Sequence, residues 1–323
     1  YDKKMKKNIL IKFLVIFIIL FFAVNIYSQK IFAASKYAGT KSAMFLKLAG
    51  SPRTMAMGNV YAVIPESINA SYSNPAVALL NLKSPEFQFI HTKWLTDINF
   101  NYLGYAQTVN EKSGIAIGLL NFDYGSFTGF DAVGNKISDP KAVDRALTFT
   151  SSLVLAPKIG IGGTIKYINS NYDGIKADAA AIDAGVIYQS KIEELKFGAV
   201  IQNIGTKIKY VKESFSLPQV YKIGAAYSYL EDLLVVGLDI GKSNFSDVFV
   251  NLGVEWKCYH NLVVRAGYNS ETDIGKGLST GFGANFEKWQ FDYAYLPFGE
   301  LGGTHRFALI YRFKISSPKK IKF

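Results

Sequence analysis

From residue 86 to residue 313 the chain alternates with a period of two, and the two faces differ in kind. In "VDRALTFTSSLVL" (143–155) Val143, Leu147, Phe149, Leu153 and Leu155 share one face, opposite Asp144, Ala146, Thr148, Thr150 and Ser152. "VYKIGAAYSY" sets Tyr221, Ile223, Ala225, Tyr227 and Tyr229 against Lys222, Gly224, Ala226 and Ser228. "DVFVNLGVEW" does the same with Val248, Val250, Leu252, Val254 and Trp256. A soluble sandwich hides its large apolar face and shows Lys and Glu to water. A transmembrane barrel turns that face to lipid and fills its interior with small and polar groups. The polar faces here are mostly Gly, Ala, Ser, Thr and Asn, so the expectation is an all-β transmembrane antiparallel β-barrel.

Strand-like segments fall near 86–93, 97–109, 113–124, 143–155, 158–169, 177–189, 194–203, 218–229, 232–241, 247–257, 261–269, 277–286, 289–296 and 304–313. Fourteen is an even number, and the lengths bracket the ~9–11 residues a tilted strand needs to cross a bilayer. Connections after even-numbered segments are short, such as "AP", "LE" and "EK". Most of those after odd-numbered segments are longer, notably "GSFTGFDAVGNKISDPKA" and "IGTKIKYVKESFSL". Short periplasmic turns and long external loops are the pattern of outer-membrane barrels. Residues 206–212 read as a further extension of a strand.

Ahead of the barrel the chain divides in two. Residues 1–35 run basic (Lys3, Lys4, Lys6, Lys7), then apolar from Ile9 to Val24, then small at Ser28 and Ala33-Ala34-Ser35. That order marks a secretory signal peptide, cut after Ser28, Ala33 or Ser35, with an uncleaved anchor as the alternative. Residues 36–84 are small and apolar, too interrupted for a membrane span and placed where a lumen needs filling. The domain expectation is therefore signal peptide 1–35, plug 36–84, barrel 85–313 and a basic tail 314–323, in the outer membrane. Of the formal charge of +11, five units belong to residues 1–35, and the rest is dispersed. A nucleic-acid partner would need a basic face. One Cys, Cys258, excludes an intramolecular disulfide framework.

The segment "AMFLKLAGSPRTMAMGNVYAVIPESINASYSNPAVALL" resembles the N-terminal part of the PorV/PorQ family of outer-membrane proteins, relatives of the FadL-type transporters. "FGAVIQNIGTKIKY" with "LPQVYKIGAAY", and "FDYAYLPFGELGGTHRFALIYRF", are similar to that family's middle and end. Val77 stands where the family usually has Gly. The resemblance implies a fourteen-stranded barrel with its N-terminal segment folded into the lumen. It also implies two functional classes. One is a shuttle that binds secreted cargo proteins in type IX secretion; the other is a FadL-like channel for hydrophobic small molecules.

Candidate residues follow. Asn74 caps and Pro75 starts a short helix through Ala76 to Leu80, closed by Asn81. With Met57 and Gly58 these residues form the candidate plug or gate. Lys166, Glu255, Arg265, Asp292, Arg306 and Arg312 fall on the polar face as candidate lumen-facing charges, since charge towards lipid is costly. Arg145 falls on the apolar face, which suggests that its strand starts near the interface. Phe307, Leu309, Tyr311 and Phe313 give the last strand the form of an assembly signal for the outer-membrane insertion machinery. The three His (His91, His260, His305) sit near no carboxylate cluster, and no Ser-His-Asp grouping can be assembled. "GKGLSTG" (275–281) lacks phosphate-loop spacing. The expectation is a non-enzymatic protein without cofactor or metal, whose partners are membrane lipids, the insertion machinery, and cargo proteins or hydrophobic small molecules.

Overall fold

The computed structural model describes residues 41–48, 50–64, 68, 72–77, 82–95, 97–126, 128–136, 138–271 and 276–314. The signal-peptide expectation and the tail beyond Lys314 lie outside them. Fourteen antiparallel strands close into a barrel. They are β1 (Glu86–Lys93), β2 (Asn99–Asn110), β3 (Ser113–Ser126), β4 (Lys141–Ala156), β5 (Ile159–Tyr172), β6 (Ile175–Gln189) and β7 (Leu195–Gly205), followed, after a small hairpin, by the second half. The hairpin is β8 (Ile208–Tyr210) with β9 (Glu213–Phe215), and it stands outside the barrel sheet. The wall resumes with β10 (Val220–Tyr229), β11 (Leu234–Ser243), β12 (Ser246–Tyr259), β13 (Leu262–Asn269), β14 (Leu278–Phe286), β15 (Trp289–Pro297) and β16 (Gly303–Arg312). Strand β16 pairs with β1, from Glu86 opposite Arg312 to Lys93 opposite His305, so no barrel edge is left open.

Each of the fourteen expected segments is a barrel strand. The stretch 206–212 departs from its reading: it folds back as the β8–β9 hairpin, with Ile208 fully buried against the core. Two connections also differ from expectation. Residues 173–174 and 244–245 are two-residue turns, because the flanking strands run further than their apolar residues do. The remaining connections at that end, including 127–140 and 206–219, are longer; this end is called the loop end and the opposite one the turn end.

Along most strands the faces are those the alternation implies; Tyr227 and Leu252, expected on the outer apolar face, are instead buried. Along β4, Asp144, Ala146, Thr148, Thr150 and Ser152 are buried, while Leu147, Phe149 and Leu153 are exposed. Exposed Phe87, Phe89, Leu103, Ile117, Ile165, Ile182 and Ile223 continue the outer apolar surface around the wall. A soluble protein does not expose so large a contiguous apolar surface; lipid is the environment in which it costs nothing. Trp289, Tyr311, Phe313 and Tyr105 form a chain of ring contacts at the turn end, an interfacial aromatic girdle. Arg145 is exposed on the outer face near the loop end of β4, where its Nε donates to Asn121 Oδ1 at 3.1 Å. Among the described residues no helix is long and apolar enough to cross a membrane.

Candidate functional site

The lumen is filled by the chain that precedes β1. Two short helices lie in it, Phe45–Leu48 and Pro52–Ala56. The second begins where Ser51 accepts a hydrogen bond from Thr54 N and Pro52 takes the first turn, whose N–H groups have no helical partner. The helix expected from Pro75 is a correction: Pro75–Val77 form a turn, and 78–81 lie outside the described residues. Asn74 is turned to another use. Its Oδ1 still accepts from Ala76 N, but its Nδ2 donates to Ala62 O at 2.7 Å and to Val186 O and Ala199 O at 3.1 Å each. One buried amide thus ties two parts of the plug to β6 and β7.

The plug backbone lies against glycines of the wall. Gly237, Gly253 and Gly267 face one another across β11, β12 and β13; Gly198 pairs with Gly224, and Gly162 with Gly185. A Cβ on Gly267 would overlap the backbone of Met57 and Gly58, and one on Gly162 that of Pro75 and Ala76. Gly58 itself has φ +66°, a conformation glycine adopts without strain. Polar contacts complete the seat. Gly58 N donates to Ser279 Oγ at 3.1 Å, Asn251 Nδ2 to Gly58 O at 2.5 Å, and Ser152 Oγ to Pro75 O at 2.5 Å. Met57, Gly58, Asn74, Pro75 and Ala76 are therefore all in the plug-wall interface.

Charge clusters line this interior. Arg53, on the plug helix, makes a two-pronged pair with Glu255 (2.6 and 2.7 Å). Arg265 binds the same carboxylate at 2.7 Å and Asp292 at 2.6 Å. Lys166 pairs with Asp183 at 2.7 Å and donates to Asn203 Oδ1 at 2.8 Å. Asn203 sits at a β-bulge of β7 in the left-handed region, φ 59°, which Asn tolerates. Lys222 lies 3.5 Å from Asp239, whose Oδ2 also accepts from Tyr61 N and Ala62 N. Arg306 donates to the carbonyls of Gly50 and Leu48, and Arg312 to Glu86 and Gln290 at the β16–β1 seam. All six candidate charges point into the lumen. Sequence reading missed Arg53, Asp183, Lys222 and Asp239. The two Lys-Asp pairs were visible in outline, since each joins inward positions of successive strands.

Toward the loop end the plug leaves space. A cavity of about 360 Å³ lies between the two helices and the loop ends of β12 to β15. Met44, Leu48, Met55, Leu278, Leu296 and Phe298 give it an apolar lining; Trp94, 5.4 Å from Phe298 between ring centroids, closes one side. Lys47 and Glu271 form an ion pair in its wall. Phe307, Leu309 and Phe313 are exposed and Tyr311 half-buried on the outer surface, remote from this cavity.

No protein-family model and no curated protein matches the chain. Solved structures do. The CymD monoaromatic hydrocarbon channel matches at 13% identity with a TM-score of 0.63, over 83% of this chain and 99% of its own. The toluene transporter TbuX of Ralstonia pickettii matches at 14% and 0.59, over 84% and 100%. A Pseudomonas aeruginosa FadL homologue matches at 10% and 0.54, over 82% and 98%. The chain is similar in fold to these proteins. At such identities the likeness establishes the fold alone, and it does not reach the narrower PorV/PorQ resemblance.

Proposed function

We propose that the protein is a non-enzymatic outer-membrane barrel that takes up or releases hydrophobic small molecules, with residues 41–84 as its plug. The observation that carries this reading is the apolar cavity beside the plug. A lumen packed shut on every side would have counted against it. Instead about 360 Å³ remain, a size within the range of small-molecule sites, lined by carbon with a few polar groups. The proteins of like fold described as hydrocarbon or toluene channels support the same class of ligand.

The test is uptake of labelled toluene, decanol and decanoate by cells that carry the protein in an outer membrane lacking any barrel of this fold. Uptake of at least one above the empty host is expected, and Phe298→Arg, which places a charge in the cavity wall, is expected to abolish the gain. Equal uptake with and without the protein would sink the proposal.

The second reading, a shuttle for secreted or surface-attached proteins, has one observation in its favour. Phe130 and Val133 in the 127–140 loop and Val211 in the hairpin turn are apolar and exposed at 61%, 83% and 71%. Purification from the native outer membrane decides it: a stoichiometric protein partner lost on Phe130→Ser with Val133→Ser favours the shuttle, and its absence favours the channel.

A further inference from the structure

Among the described residues the cavity wall holds one ion pair, and it is partly buried. Lys47, from the plug, meets Glu271, from the β13–β14 connection, and the two side chains are only 13% and 16% exposed. Ser246 Oγ donates to the same Glu271 oxygen at 2.5 Å, and Glu271 N donates to Asn269 Oδ1 at 2.8 Å. Asn59 and Ser279 add polar atoms to the lining, and Met55, Leu278 and Phe298 are among its apolar residues.

This arrangement discriminates between head groups. A ligand carboxylate brought to the pair meets Glu271 as a like charge, and a ligand ammonium meets Lys47 the same way. A hydroxyl or an amide both donates and accepts, so it can bridge the two without repulsion. A pure hydrocarbon would cover the pair with carbon and replace none of its hydration, which costs free energy. Lys41, the other cation of the lining, stands half-exposed, where solvent screens it. We propose that the cavity selects neutral amphiphiles: an apolar body with one hydroxyl or amide head group set against Lys47 and Glu271. This rests on the small-molecule reading above and names the class of ligand within it.

Trp94 is the natural reporter, because the chain has three Trp and the other two, Trp256 and Trp289, are exposed on the strands. The full-length protein carrying Trp256→Phe and Trp289→Phe is placed in lipid nanodiscs, and quenching of Trp94 by ω-bromodecanol, ω-bromodecanoate and bromodecane is titrated. The alcohol is expected to saturate at a concentration at least about tenfold below either other probe. Glu271→Gln is expected to bring the carboxylate to within about threefold of the alcohol. Where that variant does not fold, Lys47→Met serves in its place and is expected to favour ω-bromodecylamine over the alcohol. If the carboxylate or the bare hydrocarbon binds the unsubstituted pair as tightly as the alcohol, the head-group inference is overturned and the small-molecule reading stands. If no probe quenches saturably, both fall.

Discussion

Asp239 shows how much one inward side chain carries. It neutralises Lys222 and receives the N–H groups of Tyr61 and Ala62, so wall charge and plug backbone meet on one carboxylate. Lys222 in turn donates to Asn59 O at 2.9 Å and lies 3.5 Å from the centre of the Tyr61 ring. Removing one partner of a buried pair leaves an uncompensated charge, at a cost of roughly 3–5 kcal/mol. Asp239→Asn is accordingly expected to lower the unfolding free energy by about that amount, read by urea titration in lipid vesicles. A loss below about 0.5 kcal/mol would contradict the role given to this pair. Outside the membrane, Asp131 organises the 127–140 loop by accepting hydrogen bonds from the backbone of Val133 and Asn135. Asn135 chiefly holds its carboxyl below the usual range. A lowered folded value means the contribution is complete above the ordinary pKa of about 3.9 and is lost as pH falls through the lowered one. Cleavage of this loop by an acid-active protease is expected to rise below about pH 3.9 in the native chain, and to show no such rise with Asp131→Asn.

At the scale of elements, the plug is seated by the absence of side chains. Because Gly253 and Gly267 face the Met57–Gly58 backbone directly, even a methyl group there must displace main chain, which cannot rotate away as a side chain can. Gly267→Val is expected to leave the strand in the barrel and shift the plug, read as increased entry of small hydrophilic solutes into proteoliposomes. Unchanged permeability together with an unchanged plug, judged by protease protection of residues 41–84, would contradict this seating. The strands themselves were legible because alternation persists wherever lipid lies on one side and lumen on the other. Their loop-end limits were not. β4 begins at Lys141 and β5 runs to Tyr172, past the last apolar outer residue, where Arg145 and Asn169 already face outward. The plug's course was not legible either. Asn74-Pro75 reads locally as a helix start, whereas its amide is recruited by carbonyls of strands more than a hundred residues away.

For the whole molecule, the test of the membrane reading is the outer surface. Phe149 is 48% exposed and its paired neighbours Ile117 and Ile165 are exposed as well. Phe149→Arg is expected to cost about 2–4 kcal/mol of stability in lipid vesicles, the range for a cation near the bilayer midplane of a barrel. A neutral result would place this band outside the hydrocarbon. The cavity, by contrast, left no mark in the sequence, since its lining joins the plug and the ends of β12 to β15 to Trp94 and Leu95, which closure brings in from the far end of the sheet.

The plug also bears on how the barrel comes to exist. It precedes β1, yet it is held by Ser152 on β4, by Gly253 and Gly267 on β12 and β13, and by Arg306 on β16, the strand made last. Main chain is pressed against main chain at Gly162, Gly253 and Gly267, so late entry into a finished cylinder would meet the wall at each of these points. The N-terminal chain is therefore expected to act as a mandrel around which the sheet winds, and a chain lacking residues 41–64 is expected to close its β16–β1 seam more slowly, read as delayed onset of heat-resistant mobility on gels.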